Sequence, residues 1–196
     1  PLDFEPAPGG RPADTGASTD CTVSVTLRDA RNSSDDREWI RAVYREYLSE
    51  LSVSKSGLFP ALGEWDARES EFLAGWFADS GANPFVILDA GQRAGFALVS
   101  RPPAFPRTLV NYRMAEFFIV SAARRRGIGA FAASLLFNRF AGDWEVLEDE
   151  QNRPALQFWR RVIARQTSGK FSETRSGGEV RHRFRTEANP SVRGAS

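Results

Sequence analysis

The chain has 196 residues, 41% of them hydrophobic and 26% charged, with one Cys, one His and a formal net charge of +1. The apolar fraction excludes a wholly disordered chain and the length suits one compact domain, while no window approaches the ~18 consecutive apolar residues of a membrane helix. A single cysteine rules out an intrachain disulfide framework and points to a reducing, cytoplasmic setting, and a single histidine leaves no multi-histidine zinc site, so no metal is expected. The net charge hides an asymmetry. The first hundred residues carry 9 Lys/Arg against 16 Asp/Glu and the remainder 17 against 9, net charges of −7 and +8. A basic C-terminal half suits an anionic ligand.

Residues 1–20, rich in Pro, Gly, Ala and Asp with no apolar period, read as a disordered tail, and 188–196 read the same way. One domain is expected over 21–187. Thr22 to Leu27 alternates polar and apolar, with Val23, Val25 and Leu27 on one face of a half-buried strand. Asn32 to Asp36 offers helix N-caps, and Trp39, Ile40, Val43, Tyr44, Tyr47 and Leu48 follow at helical spacing. Ser52 to Gly63 reads as a loop, and a second helix runs from about Ala67 to Ala78, with Phe72, Leu73, Trp76 and Phe77 on its apolar side. Phe85 to Leu88 is a continuous apolar run, as in a strand covered on both faces. Asp89 to Arg93 turns the chain back into a strand over Gly95–Ser100, and the Pro-rich 101–107 is a loop.

Asn111 to Val120 reads as another strand. A helix follows from Gly127 to about Phe140, with Phe131, Leu135, Leu136 and Phe140 on one stripe. Trp144–Leu147 is a strand, and Pro154 to about Arg165 is a helix with Pro in its first turn. Two polar strands, near 171–174 and 180–185, close the domain across Ser176-Gly-Gly. The order β-α-α-β-β-β-α-β-α-β-β defines a mixed sheet flanked by helices, of the α/β or α+β class. His182, on a polar terminal strand, reads as a surface histidine. Cys21, at the tail boundary, is a poor nucleophile.

The informative segment is Glu116-Phe-Phe-Ile-Val-Ser-Ala-Ala-Arg-Arg-Arg-Gly-Ile-Gly-Ala. A strand ends, three arginines follow, and two glycines open a helix. Glycines admit a close ligand, and the amides of a helix's first turn and its dipole favour negative charge. Arginines beside them add charge-assisted hydrogen bonds. The segment is neither a Walker A loop, for no Gly-Lys-Ser/Thr follows, nor the dinucleotide fingerprint, for its third glycine is missing.

Arg124-Arg-Arg-Gly-Ile-Gly-Ala130 resembles the Arg/Gln-x-x-Gly-x-Gly/Ala signature of the GNAT superfamily, the acyl-CoA-dependent N-acetyltransferases. Asn152-x-x-Ala155-x-x-Phe158-Trp159 resembles the opening of that family's last core helix, and the combination is similar to a bacterial subgroup. The resemblance is close over 111–165. It implies the acyl-CoA N-acyltransferase fold: a mostly antiparallel mixed sheet of about six or seven strands, with about four helices. It also implies acetyl-CoA as co-substrate, held by the backbone of Phe118, Ile119 and Val120 at a splayed strand edge. Arg124, Arg125, Arg126, Gly127, Ile128, Gly129 and Ala130 would take the pyrophosphate, with Asn152 on the pantetheine arm and Trp159 beside it.

The implied reaction is direct acetyl transfer to a primary amine of a small molecule or peptide. Glu145 and Glu116 are the candidate bases, and each is equally placed to bridge to an arginine at a strand end. Many family members carry a Tyr where this chain has Trp159, and an indole cannot protonate a leaving thiolate. Tyr112 is the nearest replacement by strand position. The alternative is a regulatory module that binds acyl-CoA without turnover. Trp65 and Asp66 fall where the family builds its acceptor pocket. A homodimer is an allowed assembly. Nucleic acid is not an expected partner, since alternating Arg181, Arg183 and Arg185 come without a stacking surface.

Overall fold

The computed structural model describes residues 24–54, 71–102 and 110–187. Seven strands form one sheet: β1 (Val25–Asp29), β2 (Asn83–Asp89), β3 (Gln92–Ser100), β4 (Tyr112–Ile119), β5 (Gly142–Asp149), β6 (Phe171–Ser176) and β7 (Glu179–Thr186). Their spatial order is β1-β2-β3-β4-β5-β7-β6, and every junction is antiparallel except β4–β5. The helices are α1 (Ser34–Ser54), α2 (71–78 within the described residues), α3 (Ile128–Arg139) and α4 (Arg153–Thr167). The element order read from the sequence is the observed one. No helix among the described residues is long and apolar enough to cross a membrane.

Local chemistry explains the boundaries. Ser33 Oγ accepts the Asp36 N–H at 3.3 Å, and Asp35 and Asp36 lie in the first turn of α1, where the dipole favours acids. Asn152 caps the start of α4, its Oδ1 accepting the Ala155 N–H at 3.4 Å, with Pro154 in the first turn. β2 and β3 are buried along nearly their whole length because helices cover both sides of them. One face packs on α1 and α2 through Ile40, Tyr44, Leu73, Phe96, Leu98 and Phe118. The other packs on α3 and α4 through Leu136, Phe137, Trp144, Trp159, Ile163 and Phe184.

Several sequence expectations change. α1 continues to Ser54, past the loop start expected at Ser52. The buried stripe of α3 is Ile128, Ala132, Ala133, Leu136 and Phe137, whereas Phe131 is 48% exposed. Phe72, expected in the core, is 41% exposed. His182 is fully buried rather than on the surface, because Val180, His182 and Phe184 share the face of β7 that packs inward. The tails at 1–20 and 188–196, Cys21, Trp65 and Asp66 lie outside the described residues.

Two irregularities position the site. Register between β3 and β4 shifts from Leu98↔Glu116 to Val99↔Met114, so Ala115 is an extra residue in β4 and forms a bulge. β4 and β5 pair only over Tyr112↔Trp144, Arg113↔Glu145 and Met114↔Val146, then part. The β3–β4 ladder stays tight where β4 loses its other neighbour. A Cβ on Gly95 would fall 2.2 Å from the Phe118 carbonyl oxygen, so only glycine fits there.

Candidate functional site

The parting of β4 and β5 opens a cleft of about 900 Å³. Met114–Ile119 of β4 and Val146–Asp149 of β5 form two walls. Gly127, Gly129 and Ala130 at the start of α3 close one end, with Asn152, Ala155, Phe158 and Trp159 of α4 alongside. Tyr44, Tyr47, Leu48 and Glu50 of α1 close the other.

The unpaired edge of β4 supplies backbone groups. The Val120 N–H donates to the Ala94 carbonyl at 3.0 Å and so serves the β3 side. Strand backbone groups alternate in direction. Phe118 therefore faces β3 as well, and Phe117 and Ile119 present theirs to the open edge. The Ile119 carbonyl already accepts from Arg124 Nε at 2.7 Å. Of the three residues expected at this edge, only Ile119 presents its backbone there, and Phe117 joins it. The Phe118 side chain instead packs against Tyr47 and Phe96 on the α1 side.

At the start of α3, Gly127 (φ 81°) and Arg125 (φ 61°) are left-handed, and the first helical bond runs from the Phe131 N–H to the Gly127 carbonyl at 3.1 Å. The amides before Phe131 precede the helical ladder and are available to an anion. The arginines divide. Arg124 pairs with Glu50 at 2.8 Å and lies over the Phe118 ring, 5.2 Å from its centroid, bracing α1 to the end of β4. Arg126 pairs with Asp89 at 2.7 Å and is not part of the cleft lining. Arg125 lines the cleft, and among the described residues no carboxylate pairs with it. The Ile128 side chain is buried and is not part of the cleft lining.

Asn152 lines the cleft while capping α4, and its Nδ2 donates to Glu148 Oε1 at 3.1 Å. Trp159 is buried against Phe117, Phe137 and Phe158 and forms the floor.

The two candidate glutamates part company. Glu116 lines the cleft and accepts hydrogen bonds from Tyr47 Oη and, at 3.5 Å, Tyr44 Oη. Burial, reinforced by the Glu116 carboxylate, raises the Tyr47 phenol far above its ordinary value, so Tyr47 remains a protonated donor. Glu145 lies outside the cleft lining, fully buried beneath Arg113 (2.7 Å), Arg183 (3.0 Å) and Arg181 (3.2 Å). Burial pushes its carboxyl up, but the arginines outweigh that and hold it below the usual range. So engaged, it is a poor base. Tyr112 also lies elsewhere: its ring packs, tilted, against Phe140 and Trp144, with centroids 5.2 Å apart in each pair, at the end of β4 that is still paired. It is not among the residues that line the cleft. The sequence pattern places Tyr44 and Tyr47 on the packed face of α1. Their hydroxyls on an otherwise apolar stripe are the available signal that this face meets a polar group.

The sequence matches no protein-family model and no curated protein. Solved structures do match. An acetyltransferase from Thermus thermophilus has a TM-score of 0.61 at 14% identity, covering 83% of this chain and 97% of its own. The PaiA N-acetyltransferase of Thermoplasma acidophilum, solved with coenzyme A, has a TM-score of 0.57 at 12% identity, covering 83% and 99%. A GNAT-family protein from Desulfovibrio desulfuricans has a TM-score of 0.56 at 15% identity, again covering 83% and 99%. The chain has the fold of the GNAT acyltransferases.

Proposed function

We propose that the protein is an N-acetyltransferase that moves an acetyl group from acetyl-CoA to a primary amine of a small molecule or peptide. The observation that carries this reading is the wedge: a bulged β4 parts from β5 beside left-handed Gly127 and Arg125, in a fold shared with a coenzyme A complex. The pantetheine amides would pair with the open backbone of Phe117 and Ile119. The pyrophosphate would take the amides before Phe131 together with Arg125. The amine would approach from the α1 side, where Glu116 takes its proton directly or through one water. The nitrogen then attacks the thioester carbonyl, the C–S bond breaks, and the proton shed by the acetylated nitrogen passes through water to the leaving thiolate, which departs as coenzyme A. Holding both reactants in line supplies much of the rate, so Trp159 in place of a tyrosine acid is compatible with turnover.

Calorimetry with acetyl-CoA tests the donor site. Wild type should bind at micromolar affinity. Gly127→Glu, which forces a side chain into a left-handed position and puts a carboxylate where the pyrophosphate belongs, should lose binding while remaining folded. No binding by folded wild type would overturn the reading. Binding without thiol release over a broad amine panel would make the chain an acyl-CoA-binding module.

A further inference from the structure

Outside the cleft, charge concentrates on one face of the β5–β7–β6 half. Among the described residues, the apolar cluster under α1 and α2 draws on β2, β3 and β4 and reaches no further across the sheet. Beyond it, register places Arg113, Glu145, Arg183 and Ser172 in one cross-strand row and Leu147, Arg181 and Thr174 in the next. Three guanidiniums share the one Glu145 carboxylate, a formal excess of two positive charges, with side chains 38–42% exposed over a fully buried anion. Arg181 is held least. Its Nε is enclosed and lies 3.2 Å from Glu145 Oε2, yet forms no hydrogen bond there. Like charges gathered on one carboxylate repel, and a second oxyanion relieves that repulsion. Planar guanidiniums bind carboxylate or phosphate through paired N–H donors.

The position of this cluster follows from the bulge. Residues three apart on a regular strand point to opposite faces. The extra Ala115 restores Arg113 and Glu116 to the same face, where Glu116 meets Tyr47 of α1 and Arg113 meets Glu145. Three residues at roughly 3.3 Å each set them about 10 Å apart. Arg181 stands opposite Leu147, itself part of the cleft wall. The arginine cluster therefore begins where the acceptor side of the cleft ends.

We infer that the amine acceptor is zwitterionic: it carries a carboxylate or phosphate, held by Arg113, Arg181 and Arg183, while its amine lies at Glu116. This rests on the acetyltransferase reading, and it adds a substrate class to that reading. Arg181 is the main discriminating residue, since it is the guanidinium Glu145 engages least.

The test uses the full chain and matched acceptors: an ω-amino carboxylate, an aminoalkyl phosphate, the neutral amide of the first, and a diamine of equal length. Acetyl-CoA affinity is measured first, by calorimetry, and acceptor binding next, in the presence of coenzyme A. Wild type should favour the anionic acceptors over the amide and diamine by tenfold or more in kcat/KM, with a KM that rises with salt. Arg181→Gln should cut that preference at least tenfold. Arg175→Gln, on the opposite face of the β6–β7 hairpin, should keep it. The relative rates of the carboxylate and the phosphate identify the oxyanion. Acetyl-CoA binding together with equal or better binding of the amide or diamine overturns the zwitterion assignment and leaves the acetyltransferase reading standing. A preference that survives Arg181→Gln also overturns it. Anion binding without acetyl-CoA binding overturns both.

Discussion

Glu116 and Glu145 occupy neighbouring strands and the same face of the sheet, yet the molecule uses them in opposite ways. Glu116 stands where β4 and β5 have parted, and it accepts hydrogen bonds from two phenols of α1. Glu145 stands where the strands still pair, and its partners are three arginines from β4 and β7. The first environment leaves a carboxylate beside an open cleft. The second consumes one. The difference lies less in the residue than in which side of the bulge it falls, because the bulge sets where the wedge begins.

The largest effect that separates them is on turnover. If Glu116 is the base we propose, Glu116→Gln keeps the side-chain shape but removes the proton acceptor, and should lower kcat by roughly 10²- to 10⁴-fold with acetyl-CoA affinity retained. If kcat at saturating acceptor falls less than tenfold, Glu116 is not the base and the comparison breaks.

Glu145→Gln should act mainly on stability. Removing the buried charge leaves Arg113, Arg181 and Arg183 to repel one another, and a loss of about 1–3 kcal/mol is expected for a broken network of charged hydrogen bonds. In a chain of this size that is roughly 2–4 °C in Tm per kcal/mol. The pH dependence has a definite sign. The folded Glu145 carboxyl lies below its ordinary value, so its stabilisation is full above the normal glutamate range and is lost as pH falls through and below it. Thermal melts from pH 7 to pH 3 should show wild type and variant converging towards the acid end. Parallel curves would mean that the arginines do not hold Glu145 as described.

Much of this architecture is legible in the sequence. The apolar run Phe85–Leu88, the proline at the head of α4 and the glycines opening α3 are local signals, and local rules place each of them. The wedge is accessible only through the paired motifs at 124–130 and 152–159. What escapes is tertiary. Nothing local shows that Ala115 bulges, and without it Arg113 and Glu116 fall on opposite faces. The pairing of Glu145 with arginines 32 and 38 residues away is equally silent, so the two glutamates look alike. His182 is different: Val180-x-His182-x-Phe184 places it on the apolar face by simple alternation, a signal outweighed by the arginines between.

His182 tests whether the β7 half is otherwise structural. It is fully buried, with Nε2 3.1 Å from Glu173 Oε2, and Glu173 is gripped in turn by Arg160 at 2.6 Å. Nδ1 is enclosed without a hydrogen-bond partner. A neutral ring that donates from Nε2 tolerates that arrangement, whereas a protonated ring would bury an unpaired N–H. Burial accordingly lowers its pKa, against the pull of Glu173. Protons then bind the unfolded chain more readily than the folded one, and stability falls as pH drops through the ordinary histidine value near 6.5. The slope is at most about 1.4 kcal/mol per pH unit, below the upper part of the range expected for Glu145→Gln. Ordinary carboxylates stay ionised between pH 8 and 5.5 and the chain has one histidine, so melts across that range isolate the step. Wild type should lose stability towards pH 5.5 and His182→Gln should show a flatter profile. An imidazole that titrates at or above 6.5 by NMR would show that the Glu173 carboxylate outweighs burial, making the pair a true ion pair like those around Glu145.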